Sequence, residues 1–335
     1  MTPESGVATR VERKRQHIKK AMKNKYKKAV VTGGAGFIGS HLVEALLTNG
    51  CHVTVIDNLS TGSLSNLEQV KDHIVFFETD IRDQDALTRA TKGCDIIFHQ
   101  AARVSVPMTV EHPVESAMIN DVGTLMVLEA ARFGNIKKVI FASSCAVYGD
   151  DPRLPKDENM FPEPLSPYAV HKLTGELYCR LYHDLHGIET VCLRYFNVFG
   201  PKQDSSSPYS GVISIFMAKA VSEEAPVIYG DGNQYRDFVF VKDVVNANLL
   251  AANSEDLGTK IFNIGAGNFI RIHQLWKLIC QMSGVDVEPE YRPGRPGDIH
   301  ESVASTELAK SVLGFKPAYS LEEGLEITLK WHSGS

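Results

Sequence analysis

Short apolar runs and longer amphipathic stretches alternate along the first two hundred residues. Strand-like runs rich in Val, Ile and Phe fall at 29–32, 52–56, 74–77, 96–99, 139–142 and 190–195. Between them apolar positions recur at helical spacing, most clearly over 37–48, 114–132 and 167–186. Strands that alternate with helices need crossover connections, which predicts a parallel sheet with helices on both faces. The proline-rich and acidic stretch 149–167 predicts a long loop, and in a compact domain such a loop usually serves function. After Gly200 the rhythm breaks. A Ser- and Pro-rich segment at 201–211 leads into shorter pieces, helical near 212–221, 243–251, 272–282 and 321–330, and strand-like at 227–229, 237–241 and 260–264. This predicts a basic extension over 1–27 and a sheet domain over 28–200. A smaller mixed α/β lobe covers 201–332, and parts of 235–265 return to the sheet domain.

The join between the first run and the first helix carries chemistry. Val30-Val31-Thr32-Gly33-Gly34-Ala35-Gly36-Phe37-Ile38-Gly39-Ser40 places glycines at 33, 36 and 39. Such glycines permit a tight turn and a close approach of backbone to a pyrophosphate, and the first N–H groups of the following helix face the anion. Asp57 follows Gly39 by 18 residues, at the end of the second run, near the spacing expected for a group on the adenosine ribose. Strand, turn, helix, strand and acid in that order predict a dinucleotide site on a Rossmann-type doubly wound sheet.

Composition changes this picture little. The 335 residues are 43% hydrophobic with a net charge of −5, ample for a large core. Charge is uneven, since residues 1–28 hold ten Lys/Arg against two Glu. A basic head can anchor to nucleic acid or an anionic membrane, but a solvated leader without a partner explains it more simply. It lacks the apolar stretch of a signal peptide, and no membrane-length apolar run follows. Six scattered cysteines (51, 94, 145, 179, 192 and 280) without a C-x-x-C pair suit reduced thiols and a cytoplasmic location. His183 and His186 share a helix, but a solvated helix surface accounts for them better than a metal does.

Tyr168-Ala-Val-His-Lys172 puts a phenol and an ammonium one helical turn apart. The pattern alone is common. Here it opens a helix after the proline-rich loop, and Phe141-Ala-Ser-Ser-Cys-Ala-Val-Tyr-Gly149 just upstream ends a strand. Ser143 and Ser144 therefore lie at the sheet's carboxyl edge, beside a nicotinamide. A tyrosine with an ordinary pKa near 10 is a poor base, and a neighbouring ammonium or a positive nicotinamide ring lowers it. Such a phenolate with a serine hydroxyl beside it can take a proton from an alcohol while hydride leaves the same carbon.

The chain resembles extended short-chain dehydrogenases/reductases, specifically nucleotide-sugar 4-epimerases of the UDP-galactose 4-epimerase kind, from about residue 28 to 331. The motifs are T-G-G-A-G-F-I-G-S at 32–40, D-N-L-S-T-G at 57–62, D-I-R-D at 80–83, H-Q-A-A at 99–102, S-P-Y-x-x-x-K at 166–172, R-Y-F-N-V-F-G-P at 194–201, Y-G-D-G-x-Q-x-R-D-F at 229–238 and R-P-G-D at 295–298. The resemblance implies a tightly bound NAD that is regenerated each cycle. Gly33, Gly36, Phe37, Ile38 and Gly39 would hold its pyrophosphate and Asp57 its adenosine ribose, within the 57–62 motif that includes Asn58, Ser60 and Gly62. Asp57 would also repel the 2′-phosphate of NADP. Asp80 and Ile81 would flank adenine, and Gln100, Ala101, Ala102 and Asn120 would line the centre of the cofactor. Tyr168 would be acid and base, Lys172 its tuner, Ser144 the hydroxyl partner, and Tyr195 a neighbour of the nicotinamide. On the substrate side the resemblance assigns Asn197 to the nucleotide-sugar and Val212, Val227 and Tyr229 to the nucleotide slot. Arg236 and Arg295 fall to the UDP diphosphate and Asp298 to the uridine ribose. A salt bridge to Asp237 or Asp243 is the competing role for Arg236.

Specificity rests on Ser302 in this comparison. A bulky residue at that rim position restricts the family's pocket to glucose-type sugars, whereas a small one leaves room for a 2-N-acetyl group. This implies UDP-GlcNAc/UDP-GalNAc with UDP-Glc/UDP-Gal also accepted, and Ser105 matches a sugar-facing loop of such members. A surface-loop position is the competing reading of Ser302. Val104 departs from the glycine frequent in acetamido-specific relatives. Cys145 and Ala146 replace the Asp-Glu pair that a 4,6-dehydratase needs, and a decarboxylase's glutamate is missing. A UDP-glucuronate 4-epimerase would need a cation near the sugar carboxylate, for which Arg103 is the candidate. A non-catalytic cofactor-sensing or nucleic-acid-binding relative usually lacks the catalytic Tyr or Lys, both kept here. The resemblance also implies a homodimer through a four-helix bundle built from 114–132 and 167–186.

Overall fold

The computed structural model describes residues 25–206, 211–294 and 300–334. In chain order the larger strands are β1 (Lys28–Thr32), β2 (His52–Asp57), β3 (Ile74–Glu78), β4 (Ile96–His99), β5 (Lys138–Ser144) and β6 (Glu189–Tyr195). Short strands follow, β7 (Asn197–Phe199), β8 (Val227–Tyr229), β9 (Tyr235–Arg236) and β10 (Phe238–Phe240), and then β11 (Thr259–Ile264). The last three are β12 (Ile270–Arg271), β13 (Glu290–Arg292) and β14 (Glu301–Ser302). The main sheet has seven parallel strands in the order β11-β6-β5-β4-β1-β2-β3. The order reverses between β1 and β4, where open α/β sheets bind ligands at the carboxyl ends of their strands.

Both faces of this sheet are covered, which explains why its strands read as unbroken apolar runs. Val31, Ile140 and Leu193 face one layer with the helices Phe37–Thr48 and Val241–Asn253. Their neighbours Val30, Val139 and Cys192 face the other, with Gln84–Thr91, Gly123–Phe133 and Pro167–His186. Complete burial of one such Val or Leu contributes about 1.5–3 kcal/mol. A separate core of Phe216, Met217, Phe240, Leu275, Trp276 and Leu325 gathers the short strands and the helices Val212–Val221, Ile272–Ser283 and Leu321–His332. The 149–167 loop contributes Met160 to a small cluster with Val147, Tyr148, Phe196 and Ala304.

Two sequence expectations need correction. The single helix expected over 114–132 is interrupted. It runs as Pro113–Ala117, a π turn at Met118–Val122, and Gly123–Phe133. One extra residue in a turn leaves the apolar period nearly unchanged, so the pattern does not reveal it. The return to the sheet also extends further than 235–265, because Ala309, Leu313 and Phe315 join the sheet's first core. No helix among the described residues is long and apolar enough to cross a membrane. All six cysteines are free.

Candidate active site

The carboxyl ends of β1, β2, β4, β5 and β6 are Thr32, Asp57, His99, Ser144 and Tyr195, so five polar residues line one edge of the sheet. The glycine turn wraps this edge. Gly33 has φ +69°, and a Cβ there would lie 2.7 Å from Ala101 N. A Cβ on Gly39 would lie 2.1 Å from Gly33 O, so the helix can start this close to the strand only without a side chain. The helix Phe37–Thr48 begins at Gly36, and no side chain caps its first N–H groups. Uncapped amides over side-chain-free backbone suit a pyrophosphate.

Asp57 is buried at the end of β2. One carboxylate oxygen accepts from Ala35 N at 2.9 Å and the other from Leu59 N at 2.9 Å. Burial raises its pKa, with those two N–H groups opposing the shift. Two oxygens with one bond each keep acceptor capacity for a ribose diol. Gly62 lies so close that a Cβ there would sit 3.0 Å from both oxygens. Asn58 donates to Asp80 at 2.9 Å and accepts from Ser60 N at 3.1 Å. The Arg82 fork on Asp80 holds that carboxyl below its ordinary value. Ile81 is buried, and Gly123 leaves the space for it, since a Cβ there would be 2.6 Å from Ile81 Cδ1.

The π turn supplies Asn120, whose amide clamps Arg103 by accepting from its N–H at 2.7 Å and donating to its carbonyl at 3.0 Å. That clamp fixes the strand-to-helix loop carrying Gln100, Ala101 and Ala102. Ala101 N donates to Thr32 Oγ1 at 3.3 Å. Beneath it, His99 links Thr32 (2.7 Å) to Thr124 (3.0 Å), and burial drives its pKa down to about 3. Gln100 Nε2 donates to Tyr195 Oη at 3.2 Å, and Asn248 Nδ2 donates to the same oxygen at 2.8 Å. His99 and Asn248 are the members of this group that sequence reasoning missed. The H-Q-A-A motif contained one of them.

Tyr168, Lys172 and Ser144 come together as expected from their spacing. Ser166 caps the helix Pro167–His186 by accepting from Ala169 N at 3.2 Å, and Pro167 opens it, so Tyr168 sits in its first turn. The Ser144 hydroxyl stands close enough to the Tyr168 phenol to act on it. Lys172 Nζ lies 5.7 Å from the centroid of the Tyr168 ring and donates to Ala142 O at 2.6 Å. Desolvation pushes the phenol up to about 12, with the Ser144 hydroxyl opposing it. It pushes the Lys172 ammonium down to about 8, opposed by the Glu176 carboxylate. The expected lowering of the phenol by Lys172 is not among the influences on it in the protein alone, where burial dominates. The ammonium is turned to a backbone carbonyl instead.

The substrate side is assembled from short strands. β14 pairs with β9 so that Ser302 stands opposite Arg236. Ser302 is buried, not a surface-loop residue, and its hydroxyl acts on the Cys145 thiol, which burial raises to about 11. The Arg236 charge acts on the same thiol and opposes that rise. Its Nη1 donates to Tyr235 O at 2.9 Å and His300 O at 3.0 Å. The proposed competitors are busy elsewhere. Asp237 accepts from Ala266 N (2.7 Å), Gly267 N (2.9 Å) and Ala304 N (3.1 Å), and Asp243 from Ala318 N (2.8 Å) and Tyr319 N (3.3 Å). Asn197 donates to Asp237 O at 3.0 Å. Val212, Val227 and Tyr229 are half-buried at the ends of their elements. Ser105 does not simply line a loop: it caps the helix Val106–Glu111, accepting from Met108 N at 3.3 Å. Arg295 and Asp298 lie outside the described residues, as does the basic head up to residue 24.

A profile of the NAD dependent epimerase/dehydratase family matches residues 29–265. The chain belongs to that family. The epimerase is similar to a putative UDP-glucose 4-epimerase from Methanocaldococcus jannaschii, 43% identical over 304 residues, which are 90% of this chain and 97% of the relative. Among solved structures it resembles the UDP-N-acetylglucosamine 4-epimerase from Methanobrevibacter ruminantium M1 in complex with UDP-N-acetylmuramic acid. That likeness has a TM-score of 0.88 at 42% identity, covering 92% of this chain and 98% of the other. It also resembles the UDP-glucose 4-epimerase of Thermotoga maritima with UDP-glucose, with a TM-score of 0.87 at 40% identity, covering 91% and 98%. Its place in the family is among the UDP-sugar 4-epimerases, so the epimerase is an isomerase that uses NAD. The side-chain-free turn, the uncapped helix and the buried Asp57 of this epimerase fit that cofactor.

Proposed function

We propose that the protein inverts C4 of UDP-hexoses, with UDP-GlcNAc and UDP-GalNAc preferred and UDP-Glc and UDP-Gal also accepted. The observation that carries the preference is Ser302, small and buried against Cys145 and opposite Arg236. A small rim there leaves volume for an acetamido group. Arg103, the cation a uronate substrate would need, is paired with Glu115 at 2.9 Å, which favours a neutral hexose.

NAD held by the Gly33–Gly39 turn and Asp57 would supply a reversible hydride acceptor and a positive ring that favours ionisation of a nearby phenol. Tyr168 Oη takes the proton of the sugar 4-OH and returns it on the other face of the ring. Ser144 Oγ is placed to donate to the same sugar oxygen, and Lys172 supplies the opposing positive charge. Arg236, with Arg295 as its expected companion, grips the diphosphate while the 4-keto sugar turns. Arginine suits this grip because its planar fork makes paired bonds to phosphate. Residues 28–200 act as the cofactor half and most of 201–332 as the nucleotide-sugar half.

The protein is also proposed to dimerise through a four-helix bundle. Leu177, Leu181 and Leu185 stand exposed one turn apart on the Tyr168 helix, and Val114 and Met118 are exposed on its neighbour. An apolar stripe of this kind on two adjacent helices marks an association surface. Incubation with each of the four UDP-sugars, followed by NMR, tests the substrate reading. Ser302→Tyr should cut the acetamido pair by roughly 10–200-fold while sparing the glucose pair. Equal loss on both pairs overturns the preference. Light scattering of Leu181→Glu tests the bundle, with a monomer expected.

A further inference from the structure

We propose that Glu176 is a positioning residue for the catalytic group: clamped by Arg194 and Ser143, it locks the end of β5 against the Tyr168 helix and sets the charge that Lys172 experiences. The inference rests on the epimerase reading above and concerns a residue outside that mechanism.

Glu176 lies one helical turn beyond Lys172 and two beyond Tyr168. Its Oε1 accepts from Ser143 Oγ at 2.5 Å and Arg194 Nε at 2.8 Å, and its Oε2 accepts from Arg194 Nη2 at 2.7 Å. The Glu176 and Arg194 side chains are each only 2% exposed. Ser143 stands between Ala142, whose carbonyl receives Lys172 Nζ, and Ser144, whose hydroxyl acts on the Tyr168 phenol. Two successive residues of one strand end, Ala142 and Ser143, are thus bonded to two residues of one helix, Lys172 and Glu176. Gly175 allows the contact to be this close, since a Cβ there would lie 2.4 Å from Phe141 Cζ.

The pair is costly as a mere core filler. Buried ion pairs are often replaceable by apolar residues without loss. Arg194 Nη1 has no hydrogen-bond partner among the described residues, and the guanidinium lies over the Tyr148 ring at 4.7 Å. A position beside the reacting groups gives the pair a reason to be there. The ionisable groups that act on Lys172 are Glu176 and Cys179 from its own helix, with the Tyr168 ring 5.7 Å away, and the Lys172 charge in turn bears on His99 of β4. His99 is held neutral, so Glu176 is the anion among them that keeps the ammonium charged.

The test uses the full-length protein with bound cofactor, and Glu176→Gln and Ser143→Ala variants. kcat and KM are measured across the alkaline range, and Lys172 is titrated by NMR of ¹³Cε-labelled lysine. Glu176→Gln should lower kcat about tenfold with KM held within about twofold. It should also move both the alkaline limb and the Lys172 midpoint down by about one pH unit. Ser143→Ala should lower kcat less and leave both midpoints in place. A folded Glu176→Gln whose limb and midpoint coincide with wild type overturns the proposal. If that variant does not fold, Glu176→Gln with Arg194→Gln removes both charges, and the same two readings decide. Wild-type protein that epimerises no UDP-sugar overturns the functional reading alone, because the lysine titration still reports on Glu176.

Discussion

The glycine-turn edge of the sheet and the Arg236–Ser302 corner, the two regions proposed to hold phosphate-linked ligands, are built in opposite ways. At the first, a single continuous segment from Val30 to Ser40 provides the strand, the turn and the helix, and its backbone does the work. At the second, two-residue strands separated by more than sixty residues bring side chains together, and a buried carboxylate, Asp237, ties their backbones. Backbone recognition needs absent side chains, so it is sensitive to any added atom. Side-chain recognition tolerates change in shape but loses affinity when a charge is removed.

The sharpest way to break the comparison is at the point where the two edges meet. Tyr168→Phe keeps the ring and removes the hydroxyl, so kcat should fall by about 10³-fold with melting temperature unchanged. Near-normal turnover in a steady-state assay would remove Tyr168 from the chemistry. Arg236→Ala should raise KM for the UDP-sugar by roughly 10–100-fold and change kcat less, since a charge-assisted grip acts on ground state and transition state alike. Gly39→Ala places a methyl against Gly33 O, 2.1 Å from the ideal position of its carbon. The purified variant should lose most of its NAD, read from the absorbance of released cofactor, and lose about 1–3 kcal/mol of stability. An equal effect of Arg236→Ala on NAD content would erase the distinction between the two edges.

A smaller effect sharpens the contrast through pH. His99 under the cofactor loop has its pKa depressed from 6.5 to about 3. Below about pH 6.5 the unfolded chain takes up this proton and the folded chain does not, so stability present above that pH is lost as the pH falls towards 3. His99→Gln should flatten the slope of unfolding free energy against pH between those limits, measured by denaturant titration, by at most about 1.4 kcal/mol per pH unit. An unchanged slope would place the acid sensitivity elsewhere.

Contiguity decided what could be read in the sequence. The parallel sheet was legible because strands buried on both faces are uninterrupted apolar runs. The glycine turn was legible as a tight strand-to-helix join because Gly33, Gly36 and Gly39 sit at fixed spacing, with Asp57 closing the next strand. Tyr168 and Lys172 were legible as one helical turn, and Ser144 as the end of a strand. The π turn was not, since one inserted residue barely alters periodicity. Glu176, Arg194, His99 and Asn248 were not, because a buried polar residue is meaningful only beside its partners, and those lie on other elements. Strands as short as β9, β12 and β14 have no period to detect. The state of the Tyr168 phenol also escaped sequence reasoning, because desolvation depends on the walls around a group rather than on its neighbours along the chain.

β11 occupies the outer position of the main sheet beside β6, although the chain travels through β7 to β10 before reaching it. A polypeptide stopped at Gly200 would leave the outer row of amides and carbonyls of Glu189–Tyr195 without bonding partners. Such a truncated product would offer itself as a template for foreign strands, and clumping rather than an independent nucleotide binder is the expected result. Anyone wishing to graft this cofactor half onto another protein must therefore carry Thr259–Ile264 along with it.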